Sequence, residues 1–222
     1  EQAEGLLRRA TEIQVRLHGT DHVSMIPWLL RLGRIYLPFK AANALAPLQR
    51  AANLAQNRLG ATDPVQADIL WSLAQAHEQA RDLDEAIVCL RRRLAFPDAE
   101  EALEVSLKLG QLLLRVGQIE AATQILHKLE VHLPLPGPEI EEQVKALLGS
   151  IMVLDDRLEE AEPRLLEALQ MRTQRLSTQH PELRPILCNL ALLYSRREAY
   201  QQVAIFAQQA LELTPESEHE TR

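Results

Sequence analysis

LLRLGRIY, residues Leu29–Tyr36, returns four more times along the chain in degraded form. The echoes are LWSLAQAH (Leu70–His77), SLKLGQLL (Ser106–Leu113), KALLGSIM (Lys145–Met152) and LCNLALLY (Leu187–Tyr194). In each, a Leu precedes a Gly or Ala anchor (Gly33, Ala74, Gly110, Gly149, Ala191), and a large side chain follows three residues later. A second motif trails the first, a small residue followed seven positions on by a small or apolar one. It reads Ala44/Ala51, Ala86/Arg93, Ala122/Leu129, Ala161/Ala168 and Val203/Ala210, with Ala3/Ala10 fitting the pattern without a first half. Internal repeats of this kind decide the architecture before any local propensity does. Both motifs have helical spacing, so each unit reads as a helix hairpin. A Gly or Ala where the two helices cross lets their backbones approach closely. A hairpin with one apolar face cannot bury it alone, and stacking on neighbours gives a quasi-one-dimensional solenoid.

These residues resemble the tetratricopeptide repeat (TPR) family, whose pattern is W-x2-L-G-x2-Y, then A-x3-F, then P. Leu190-Ala191-x2-Tyr194 with Val203, Ala207, Ala210 and Pro215 is the nearest unit, and Gly33/Tyr36 with Ala44, Leu48 and Ala51 follows it. The Trp site is filled by Leu29, Leu70, Ser106, Lys145 and Leu187. The period is about 40 residues where the basic repeat has 34. Linkers LHGTDHVSM (Leu17–Met25), LGATDPVQA (Leu59–Ala67) and LSTQHPELR (Leu176–Arg184) resemble those of the kinesin-light-chain-like subgroup, which also has long repeats. The resemblance implies an all-α, right-handed superhelix of stacked antiparallel hairpins. Residues 1–18 read as a second helix lacking its first, followed by repeats at 19–60, 61–97, 98–136, 137–177 and 178–214 and a polar tail at 215–222. All are read as one solenoid domain, with 133–138 as its one internal boundary.

Composition agrees with a helical chain: 8 Gly in 222 residues, 4% aromatic, and 12 Pro concentrated between units. Pro27, Pro163 and Pro185 fall in the first turns of predicted helices, where proline costs least. A net charge of −7 argues against general nucleic-acid binding, which needs a basic footprint. No run of apolar residues is long enough to span a membrane. Cys89 and Cys188 read as small core residues of a reducing, cytoplasmic compartment.

Little in the chain suggests chemistry. His127 and His132 are spaced onto different helix faces, and His22 and His180 occupy equivalent linker sites that read as helix starts. There is no phosphate loop, nucleophile elbow or EF-hand spacing. Asp155, Asp156, Glu159 and Glu160 favour a helix N-terminus, and Arg91–Arg93 read as a solvated outer face. The expectation is a non-enzyme with no cofactor and no metal.

Binding is what the repeat implies. Solenoids use the wall lined by the first helix of each hairpin as an extended surface. Counting from the anchors, the candidate groove residues are Arg34, Trp71, Gln75, Gln111, Arg115 and Arg196, and the resemblance adds Lys108 and Asn189. Trp71 reads either as a hot spot or as a ring packed between hairpins. Lys108 and Asn189 are the residue types of the family's carboxylate clamp but stand two units apart, so that clamp is not expected. The partner is expected to be another protein, through an extended or helical segment whose carboxylates Arg34 and Arg115 would receive. The alternative is a structural or regulatory module that docks within a larger polypeptide or self-associates. Neither nucleic acid nor membrane is expected as a partner.

Overall fold

Leu29, Leu30, Gly33 and Tyr36 are buried along one face, as a 3.6-residue period requires. A computed structural model of the chain describes residues 2–60, 62–96, 99–131 and 137–213. The tail at 215–222, His132 and most of the boundary at 133–138 lie outside the described residues. Among those described there are eleven α-helices and no strand.

The chain divides into two compact units, Glu1–Val116 and Gly117–Arg222. The first holds α1 (Gln2–His18), α2 (Met25–Tyr36), α3 (Ala41–Arg58), α4 (Pro64–Gln79), α5 (Leu83–Arg93) and α6 (Ala99–Arg115). The second holds α7 (Ile119–Glu130), α8 (Pro138–Leu154), α9 (Leu158–Leu176), α10 (Arg184–Arg196) and α11 (Tyr200–Glu212), with one 3-10 turn (Pro181–Leu183) leading into α10. Successive helices pack on one another within each unit. In addition α2 touches α4, and α8 touches α10, bringing the first helices of consecutive hairpins side by side.

The small residues do what their spacing foretells. Ala44, Ala51, Ala86, Ala122, Ala161 and Ala168 are fully enclosed. A Cβ placed on Gly33 would sit 2.4 Å from Leu48 Cγ, and one on Gly149 would sit 2.7 Å from Leu165 Cγ. The anchors are therefore crossing points, with the leucine of the second helix pressed into the space where a side chain would be. Ala191 is the exception, being only half-buried.

Helix starts follow from the linkers. His22 Nδ1 accepts the amide of Ser24, Asp63 Oδ1 that of Val65, and His180 Nδ1 that of Glu182, so one capping geometry recurs at all three. Pro64 opens α4, and Pro163 lies inside α9 as expected. Pro47, inside α3, was not anticipated.

Three hairpin turns share a Schellman bond. Asp82 N donates to His77 O at 2.9 Å, Arg157 N to Met152 O at 2.8 Å and Ala199 N to Tyr194 O at 2.9 Å. Each turn places the residue seven after the anchor in the left-handed region: Arg81 (φ 63°), Asp156 (φ 62°) and Glu198 (φ 58°). Only Gly117 (φ 78°) meets that demand without a side-chain penalty. Glu198→Gly and Arg81→Gly are therefore expected to stabilise the chain by about 0.5–1 kcal/mol each. Asp156→Gly should give less, because Asp tolerates this conformation. Thermal melts of the three variants check the ranking.

Two polar networks lie inside the second unit. Glu142 of α8 is 1% exposed and is paired with Arg172 and Arg175 of α9. Lys145 Nζ, also buried, donates to Glu141 Oε1 and to Glu167 Oε1, each at 2.7 Å. Burial opposes the Lys145 charge, but the two carboxylates outweigh it and hold the ammonium above the ordinary lysine range. In the other network Tyr194 O–H donates to Glu162 Oε1 at 2.5 Å, its ring stacks on Phe206 at 5.4 Å, and Arg197 pairs with the same carboxylate. Burial, and then the bond to Glu162, push the Tyr194 phenol up to about 12. A raised acid in the folded state adds stability that is complete below the unfolded value near 10 and is lost as pH rises through 12. One of the three tyrosines should thus ionise last in an ultraviolet titration. Tyr194→Phe should remove both that late step and the stability loss between about pH 10 and 12. An unchanged titration in the variant would refute the assignment.

Candidate partner-binding surface

The eight sequence-derived groove residues all stand on first helices. Arg34 is on α2, Trp71 and Gln75 on α4, and Lys108, Gln111 and Arg115 on α6, all in the first unit; Asn189 and Arg196 are on α10 in the second. Within each unit they form rungs between neighbouring first helices. Arg34 Nε donates to Ser72 Oγ at 3.1 Å, and its Nη2 pairs with Asp68 Oδ1 at 3.0 Å. Glu78 takes Lys108 Nζ on one carboxylate oxygen and Arg115 Nη1 on the other, both at 2.8 Å. In the second unit Asn189 Nδ2 donates to Ser150 Oγ at 2.6 Å, and Arg196 Nη1 donates to Val153 O at 2.6 Å.

The rungs repeat in register. Arg34–Ser72 and Ser150–Asn189 both join the residue after one anchor to the residue two before the next. Arg115–Glu78 and Arg196–Val153 both join the fifth residue after an anchor to the fourth after the previous anchor. One pattern of contact is thus met with ions in the first unit and largely with neutral groups in the second. The candidate residues supply one half of each rung, and Asp68, Ser72, Glu78, Ser150 and Val153 supply the other. The signal for the pairing was available in the constant offsets from the anchors.

The sequence reads Arg34 and Arg115 as awaiting a partner's carboxylates; each is engaged by a carboxylate of its own chain. Both stay about half-exposed, at 45% and 49%, so these are surface ion pairs of modest strength. Each guanidinium has five donors. Arg34 uses two of them in these contacts and Arg115 one. Trp71 and Gln75 are half-buried on α4, and Gln111 is half-buried on α6.

Other candidates separate. Cys89 is buried, and desolvation pushes its thiol up to about 11, as for an inert core residue. Cys188 is exposed, which corrects its reading as a core residue. Its neighbour one turn on, Leu192, is exposed as well, so this side of α10 faces solvent. In Arg91–Arg93 the first two are exposed but Arg93 is buried at 2%, because it occupies the crossing position seven after Ala86. No group of three potential metal ligands occurs among the described residues, and no described helix is long and apolar enough to cross a membrane.

Residues 142–216 match the tetratricopeptide repeat family model. No curated protein matches the chain. Among solved structures, a putative kinesin light chain from Podosopora anserina with nearly identical TPR-like repeats superposes with a TM-score of 0.65 at 17% identity, covering 90% of this chain and 99% of that one. BtubC (BKLC) from P. vanneervenii gives 0.69 at 16% identity, covering 95% and 89%. YrrB, described as a TPR protein with an unusual peptide-binding site, gives 0.62 at 15% identity, covering 93% of each. Repeats of this family generally mediate protein–protein interaction, and their fold is typically a non-catalytic scaffold. The chain thus matches the tetratricopeptide repeat at 142–216 and shares the fold of tetratricopeptide-repeat structures over most of its length.

Proposed function

We propose that this protein is a non-catalytic interaction module that binds a segment of another protein along the first-helix face of the unit Glu1–Val116. The observation that supports this reading is the row of partly exposed polar side chains on α2, α4 and α6: Arg34, Gln75, Lys108, Gln111 and Arg115. Spare guanidinium N–H groups of Arg34 and Arg115, with the Gln75 amide, match the unpaired backbone carbonyls of an extended segment. The hairpins serve as repeats at the divisions read from the sequence, and a cytoplasmic setting suits the free cysteines. A second reading, docking within a larger polypeptide or onto another copy, is favoured by α1, whose Leu6, Ile13 and Leu17 are 67%, 54% and 67% exposed.

The test identifies a bound segment by cross-linking and peptide mapping, then titrates it against two double variants. Arg34→Gln with Arg115→Gln should weaken binding by about 1 kcal/mol per arginine, with only a small shift in melting. Arg91→Gln with Arg92→Gln, on exposed positions of α5, should leave binding intact. If the α5 pair abolished binding and the α2/α6 pair did not, recognition would lie on the second helices and this reading would fail.

A further inference from the structure

Beside the Arg34–Asp68 rung, Asp68 and Trp71 of α4 and Glu104 and Val105 of α6 line a recess of about 110 Å³. Small-molecule sites run to roughly 300–1,000 Å³, whereas a water occupies about 30 Å³, so this recess holds one side-chain head group and no metabolite. Glu104 makes no hydrogen bond or ion pair with any described residue. Lys108 stands one turn further along α6, in the order that favours a Glu–Lys pair, yet it reaches Glu78 instead. Arg34, the cation bound to the recess residue Asp68, is already matched by it. A carboxylate left open beside a half-buried indole suits an organic cation, drawn by charge and by the ring's electron-rich face. Val105 and the indole supply apolar wall for the methylenes of a long basic side chain.

We propose that this recess receives the ammonium or guanidinium of a lysine or arginine on the partner segment, with Glu104 as counter-ion and Trp71 as platform. The assignment rests on the partner-binding surface described above and names the residue class it selects. It reverses the charge expected from the arginines alone: the basic groups of this face are engaged by their own chain, and an acid is what stands open.

The test uses the intact chain and the indole N–H resonances of its two tryptophans, assigned with Trp71→Phe. The probes are the N-acetyl, N′-methylamide derivatives of lysine, arginine, norleucine and glutamate. Lysine or arginine should move the Trp71 signal saturably and leave Trp28 in place. Glu104→Gln and raised salt should each weaken that response roughly fivefold. The proposal is overturned if norleucine matches lysine, if glutamate is the probe that moves Trp71, if no probe does, or if Glu104→Gln leaves the lysine titration unchanged. None of these outcomes bears on whether the first-helix face binds a partner, which the α5 control decides separately.

Discussion

Replacing Arg172 with Met is expected to destabilise the second unit by about 3 kcal/mol. Arg172 Nε lies 2.6 Å from Glu142 Oε1, and its Nη1 donates to the Glu182 carbonyl at 2.8 Å. Without it Glu142, 1% exposed, keeps only the longer contact to Arg175 at 3.3 Å. Arg175 is itself shared with Glu139. A buried carboxylate stripped of its main partner forfeits the attraction that offset its desolvation. Removing both charges is a different matter, because Glu142→Leu with Arg172→Met leaves no buried charge unpaired and should return stability close to the parent. Urea unfolding of the two variants separates the cases. Equal losses in both would mean that packing around the long side chains matters, and the ion pair does not.

The second large effect is steric. Gly33→Ala adds one carbon at 2.4 Å from Leu48 Cγ and 2.5 Å from its Cδ2, and Leu48 is fully enclosed. Alanine would gain about 1 kcal/mol in helix propensity, while overpacking costs about 1–3 kcal/mol. The net expectation is a loss, because Cγ is a branch point that cannot swing aside. Gly149→Ala against Leu165 should behave alike but more mildly, at 2.7 Å. Ala86→Leu and Ala161→Leu insert larger groups at enclosed crossing positions and should cost at least as much. Adding Leu48→Ala to Gly33→Ala should relieve the clash while opening space. Were Gly33→Ala to melt above the parent, the helices would be free to part there.

How much of this was legible in the sequence follows from which interactions have a one-residue signature. Leu-Gly and the spaced alanines were readable because close helix crossings tolerate only small residues. The helix starts at His22 and His180 were readable because linkers repeat. Arg81 and Glu198 gave no sign of left-handed backbone, since their turn geometry is imposed by the Schellman bond and not by their side chains. Glu142 looked like any acidic residue near a helix start, and its burial depends on Arg172, thirty positions away. The groove residues were half legible. Offsets from the anchors pointed to Arg34, Arg115 and Arg196, but a side chain's partner lies on another repeat, and no single repeat reveals it.

That dependence has a consequence for the modularity usually credited to repeats. A hairpin carrying Ser72 is suited to follow one carrying Arg34, and a hairpin carrying Asn189 is suited to follow one carrying Ser150. Exchange the two successors and an arginine meets an amide while a serine meets a serine. The offsets would survive such shuffling, but the chemistry would not. The order of the hairpins is therefore written between them, in pairs of residues that mean nothing separately, so duplication or grafting of one hairpin would have to carry its neighbour's matching half along with it.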